Sequence, residues 1–210
     1  LDADYGKSLG DSAFDPAADI GPTDAGSATG IPLTDGHLDF EDVMIAAVNF
    51  GPPAAGPAPG GQVLLSWRRV DETVWALRLD AANPSLKGLR LTADLPAGIT
   101  AAVAPGPLLA LQAAPAFLRD DRPEHLDVAL VLLGAGAGFD GTGELLRVTL
   151  SDYVPFDPPA VVARAVDNST LPHLIQAVTG VPDAPDFALA QNWPNPFNPA
   201  TTISFQAPIA

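Results

Sequence analysis

From residue 62 onward, hydrophobic and polar positions alternate with a period of two. Leu89, Leu91, Ala93 and Leu95 stand against Arg90, Thr92 and Asp94, and Leu146, Val148 and Leu150 against Arg147 and Thr149. That period predicts strands with one buried face. The pattern places them at 62–70, 74–80, 86–95, 126–133 and 144–150, a series of short strands that predicts a β-sandwich. Before residue 52 the period changes. Phe40, Val43, Met44, Ala47 and Phe50 recur at helical spacing, and Gly51 followed by Pro52-Pro53 is a stop. One amphipathic helix is predicted to end there.

The run Pro52-Pro-Ala-Ala-Gly-Pro-Ala-Pro-Gly-Gly61 lies between the two patterns and reads as a linker. It divides an acidic segment (1–51) from a β block (62–154). A proline-rich connector (155–186) follows, with apolar runs at 161–166 and 171–178 that could add edge strands, and then a tail (187–210). The 23 prolines and 19 glycines favour short strands and turns over long helices, and 47% hydrophobic residues in 210 are enough for a real core.

Twenty-five acidic residues against ten basic ones give a net charge of −15. That balance repels nucleic acid and anionic lipid, and leaves calcium and cationic surfaces as partners. With no cysteine, disulfides, thiolate catalysis and cysteine metal sites are excluded. No apolar run approaches the roughly 20 residues of a membrane-spanning helix.

The search for catalytic chemistry gives bland readings. Gly136, Gly138 and Gly141 match G-x-G-x-x-G after a predicted strand. A dinucleotide fingerprint must open a helix, whereas 142–150 reads as a strand, so the motif reads as a hairpin loop. His37, His125 and His173 have no zinc-site or triad spacing. Asp120, Asp121 and Glu124 beside Arg119 and Arg122 read as a solvated loop, and Asn168-Ser-Thr170, a glycosylation tripeptide, as a surface loop. Trp67 and Trp75 either fill the sandwich core, the favoured reading, or share an exposed face as a sugar-stacking platform. The chain does not read as an enzyme.

Asp35-Gly-His-Leu-Asp-Phe-Glu-Asp42 resembles the second half of an EF-hand or dockerin-type loop. Such a loop needs Gly at its sharp turn, a backbone carbonyl next and a carboxylate at the helix start. Gly36, His37 and Asp42 stand at those places, and Asp19 is the first ligand, upstream of an insertion through Asp24 and Gly30. Phe14-Asp-Pro-Ala-Ala-Asp19 is similar to the Y-D-P-x-x-D-x-G of dockerin-like segments in secreted proteins. The resemblance implies calcium held by Asp19, Asp35, His37, Asp39 and Asp42. The alternative is a solvated acidic loop in which Asp39, Glu41 and Asp42 favour the helix N-terminus through its dipole. The strand order over 62–154 resembles cohesin-like sandwiches. Cohesins bind dockerins, so the resemblance implies pairing of sandwich and segment within a chain or between subunits.

In the tail, Pro194, Pro196 and Pro199 stiffen a leader to a strand at 201–205, with Ile203 and Phe205 on one face. Leu189-Ala-Gln-Asn-Trp-Pro-Asn-Pro-Phe-Asn-Pro-Ala-Thr-Thr-Ile-Ser-Phe205 resembles the opening of C-terminal sorting and FlgD-type immunoglobulin-like modules, with Trp193 in place of their Tyr. That resemblance implies a secreted or cell-surface protein. A lone strand has unpaired edges, so Trp193, Pro196, Phe197, Ile203 and Phe205 are expected to engage the chain's own or a neighbouring subunit's sheet by strand addition.

Together these readings give a mainly β fold: a cohesin-like sandwich of immunoglobulin or jelly-roll type, a small helical calcium-loop segment before it and an extended C-terminal strand after it. The expected role is an extracellular structural or assembly subunit of a sheath, filament or scaffold. The alternative is a cohesin-like or carbohydrate-binding module of a larger secreted enzyme or adhesin, with the tail as a sorting signal.

Overall fold

The computed structural model describes residues 4–26, 29–51, 60–120, 122–134, 136 and 138–178, and the backbone of 188–189 and 205–206. Two sheets face each other. One has the order β4-β7-β2-β1-β9, built from β1 (Val63–Arg69), β2 (Val74–Leu79), β4 (Ala101–Pro105), β7 (Gly143–Leu150) and β9 (His173–Val178). The other has the order β5-β6-β3-β8, built from β3 (Leu86–Asp94), β5 (Pro115–Asp120), β6 (His125–Leu132) and β8 (Ala160–Ala165). Within them every pairing is antiparallel except β1 with β9. The fold is therefore the mainly β two-sheet sandwich that the alternation predicts.

The inward-facing positions make one core. Leu65 faces Leu79, Trp67 faces Leu77 and Leu77 faces Leu146, while Leu89 and Leu91 oppose Leu130 and Val128. Trp67 and Trp75 stack at 5.8 Å between ring centroids, and Phe156 meets both edge-on. Both indoles are buried, at 0% and 4% exposure, so they fill the core and form no sugar platform.

The bulge in β3 between Leu86 and Gly88 sets which residues face outward. It keeps both Leu86 and Leu89 in the core and turns Gly88 and Arg90 to the outer face. There helix α1 (Phe40–Asn49) packs: Phe40, Val43, Met44, Ala47 and Val48, with Tyr5, lie against Leu118, Ala129 and Val131. A Cβ at Gly88 would run into the Met44 sulfur and the Phe40 ring. Because β6 is covered by the core on one side and this helix on the other, seven of its eight residues are buried. That explains the near-continuous apolar run Leu126-Asp-Val-Ala-Leu-Val-Leu132.

The structure corrects two readings. The glycine-rich stretch is no hairpin: it carries the chain from β6 in one sheet to β7 in the other. Asp120 does not lie in a solvated loop but ends β5 at 8% exposure, paired with Arg122. β4, β5 and a single turn α2 (Pro107–Ala110) are additions to the predicted elements.

In the tail, β10 (Ala188–Leu189) pairs antiparallel with β11 (Phe205–Gln206), setting Leu189 opposite Phe205. Trp193, Pro196, Phe197 and Ile203 lie outside the described residues. Among the described residues no helix is long and apolar enough to cross a membrane.

Candidate functional site

The candidate site is the joint between the acidic segment and the outer face of the four-stranded sheet. Its segment side begins at the helix start. Asp39 is the N-cap of α1 and accepts from Glu41 N at 2.8 Å, while Asp42 Oδ2 accepts from Asp39 N at 2.8 Å, closing a capping box. The other Asp42 oxygen accepts from Ile20 N and Gly21 N, each at 2.7 Å. Burial raises the Asp42 carboxyl above the ordinary carboxylate range, and the hydrogen bonds from Asp39, Gly21 and Ile20 oppose that shift.

The remaining loop carboxylates also serve backbone amides. Asp19 accepts from Gly36 N at 2.9 Å and Asp35 N at 3.3 Å, and Asp35 accepts from His37 N at 2.9 Å. The His37 Nδ1 lies 2.9 Å from Ser8 Oγ in an exposed pair. Of the five residues expected to hold calcium, Asp19 is joined to Asp35 and Asp42 to Asp39, while the expectation for His37 concerns its backbone carbonyl and not the imidazole that pairs with Ser8. Among the described residues no group of three or more His, Asp or Glu side chains could hold a metal ion. In this arrangement carboxylate-to-amide bonds close the loop.

The sheet side supplies a buried ionic network. From β3, Arg90 reaches Asp127 on β6 through Nε at 3.0 Å and Nη2 at 2.6 Å, and reaches Asp39 through Nη1 at 2.9 Å. The Tyr5 hydroxyl donates to Asp127 at 2.9 Å. One carboxylate with only 3% of its side chain exposed therefore takes a bidentate guanidinium and a phenol, a strong charge-assisted arrangement. Burial, then the Asp127 charge, raises the Tyr5 phenol above its usual range. For Arg90 burial acts downward, but the hydrogen bond to Asp127 and the charges of Asp127 and Asp39 leave the guanidinium firmly protonated.

Two further contacts tie the segment down: Arg164 of β8 to Glu41 at 3.2 Å, and the Asn168 amide to the Gly26 carbonyl at 3.3 Å. Lys87, at the bulge, is fully buried and donates to the Gly134 carbonyl; burial pushes its ammonium down to about 8. Sequence reading did not single out Tyr5, Arg90 or Asp127. The available signal was a charge at Asp127 inside an apolar strand, since a buried charge requires a partner.

No family model and no curated protein matches this chain. Among solved structures it is similar to a non-cellulosomal cohesin from the hyperthermophilic archaeon Archaeoglobus fulgidus, at 12% identity and a TM-score of 0.38, over 56% of this chain and 84% of that one. It is also similar to the seventh ScaB type I cohesin from Pseudobacteroides cellulosolvens, at 9% identity and a TM-score of 0.37, over 57% and 91%. A third likeness is to a chain of a type I cohesin–dockerin complex from Clostridium thermocellum, at 11% identity and a TM-score of 0.37, over 56% and 96%.

Proposed function

We propose that this protein is a non-enzymatic extracellular structural subunit in which a dockerin-like segment occupies one sheet face of its own cohesin-like sandwich. The opposite face and the tail are then left for assembly with other copies. The observation that carries the reading is the joint: a helix seated on the outer face of the four-stranded sheet and locked by Tyr5, Asp39, Arg90 and Asp127. A module that spends its buried ionic contacts on fixing its own parts is built for rigidity. The tail pattern from Leu189 to Phe205 supports the extracellular setting, and a strand-forming tail supports assembly by strand addition.

The test is electron microscopy and sedimentation of the purified full chain over a range of concentrations, in chelator and in excess calcium. Ordered polymers are the expected result. Monodisperse particles that bind an added dockerin or glycan would replace this reading with that of a binding module. Polymers confined to the calcium arm would show that assembly needs the ion, with the acidic segment of Asp19, Asp35, Asp39 and Asp42 and the His37 backbone carbonyl as the place to seek it.

A further inference from the structure

The geometry points to a second interface, resting on the assembly reading above: the outer face of the five-stranded sheet receives the acidic N-terminal segment of another copy of this chain. In a chain of net charge −15, three of ten basic residues gather on this face. Arg68 on β1 and Arg147 on β7 both stand in register with Ala76 on β2, so they share one row across three strands. Arg78 lies two residues along β2, opposite Ser66. Arg147 is held by Glu144 at 2.9 Å and Arg68 lies 4.0 Å from Asp80, but among the described residues Arg78 has no ion-pair or hydrogen-bond partner. Beside them Leu64 and Leu174 form an in-register pair, exposed at 37% and 54%. Apolar side chains with arginines make a surface of interface composition.

The occupant follows from complementarity. The first 51 residues hold ten acidic residues against the single base Lys7, and Asp11, Asp15, Asp24 and Asp35 are exposed. The same segment exposes Leu9 at 77%, Ile31 at 69% and Leu33 at 50%. It also carries an open cleft of about 320 Å³ lined by Leu9, Phe14, Pro16, Asp19 and Asp35. That cleft suits an arginine, whose stem packs on apolar side chains while the guanidinium meets a carboxylate.

Segment and arginine face lie on opposite sides of the sandwich, because the segment covers the four-stranded sheet. A contact between them is heterologous and repeats from copy to copy, generating a filament or, if the rotation closes, a ring.

The experiment reads the concentration at which full-length protein polymerises, by sedimentation and microscopy. Arg68→Glu/Arg78→Glu on the face, and Asp11→Lys/Asp15→Lys on the segment, are each expected to raise it at least tenfold. Mixing the two variants, or combining all four changes in one chain, is expected to restore assembly because opposite charges meet again. Arg78→Ala, which breaks no side-chain hydrogen bond or ion pair among the described residues, is expected to raise it severalfold and guards against misfolding of the reversals. Wild-type polymers unaffected by these changes would overturn this interface and leave the assembly reading standing, with the contact placed elsewhere. A wild-type chain that stays monomeric at every concentration would overturn both.

Discussion

Tyr5 and Arg90 both bond the buried Asp127 carboxylate, one as a neutral phenol and one as a cation, so their removal should have unequal costs. Replacing Tyr5 by Phe removes one hydrogen bond at 2.9 Å and is expected to cost about 1–2 kcal/mol. Replacing Arg90 by Met leaves Asp127, with 3% of its side chain exposed, without its cation, and is expected to cost about 3–5 kcal/mol. Chemical denaturation of the two variants and their double mutant measures both costs. Because both residues act on the same Asp127 carboxylate, the double mutant should be less destabilised than the sum. At this scale the sequence placed Asp39, Glu41 and Asp42 at a helix start, because they are close along the chain, and the structure adds that Asp39 and Asp42 close a capping box there. The sequence did not reveal that Asp42 also binds the amides of Ile20 and Gly21, since an amide carries no side-chain signal.

Among the elements, legibility followed burial. β1, β2, β3 and β7 have one face in the core and show it as alternation, and β6, covered on both faces, shows a near-continuous apolar run, whereas β4 is an alanine-rich edge strand and β5 starts at Pro115 and ends in Arg119-Asp120. Edge strands tolerate proline and charge, so their pattern fades. Gly138 belongs at this scale too. A Cβ there would overlap the Pro84 carbonyl oxygen, a backbone atom with little room to yield. Its glycine serves the close approach of the inter-sheet connection to the turn before β3, which is why a G-x-G-x-x-G match arose without a phosphate site. Gly138→Ala is expected to destabilise by about 3 kcal/mol or more through overpacking, measured as a fall in the denaturation midpoint.

For the whole molecule, the joint should hold without the covalent tether. With a site-specific protease sequence inserted between residues 52 and 59 and then cut, the two pieces are expected to co-elute in gel filtration. The same cut in Arg90→Met is expected to release the segment, because about 3–5 kcal/mol corresponds to a loss of roughly 10²- to 10³-fold or more in affinity. Separation of the wild-type pieces would mean that the joint depends on the linker's effective concentration. The sequence by itself determined the two-period pattern, the helix end at Gly51, the sandwich class and the charge asymmetry, all of which are properties of neighbours along the chain. Only the tertiary structure decided that the acidic segment lies on the four-stranded sheet, and that Tyr5 meets Asp127 across 122 residues and Asp39 meets Arg90 across 51. Periodicity says that a strand has a face to bury, but the partner that buries it is selected by shape and charge meeting in space, which no local pattern encodes.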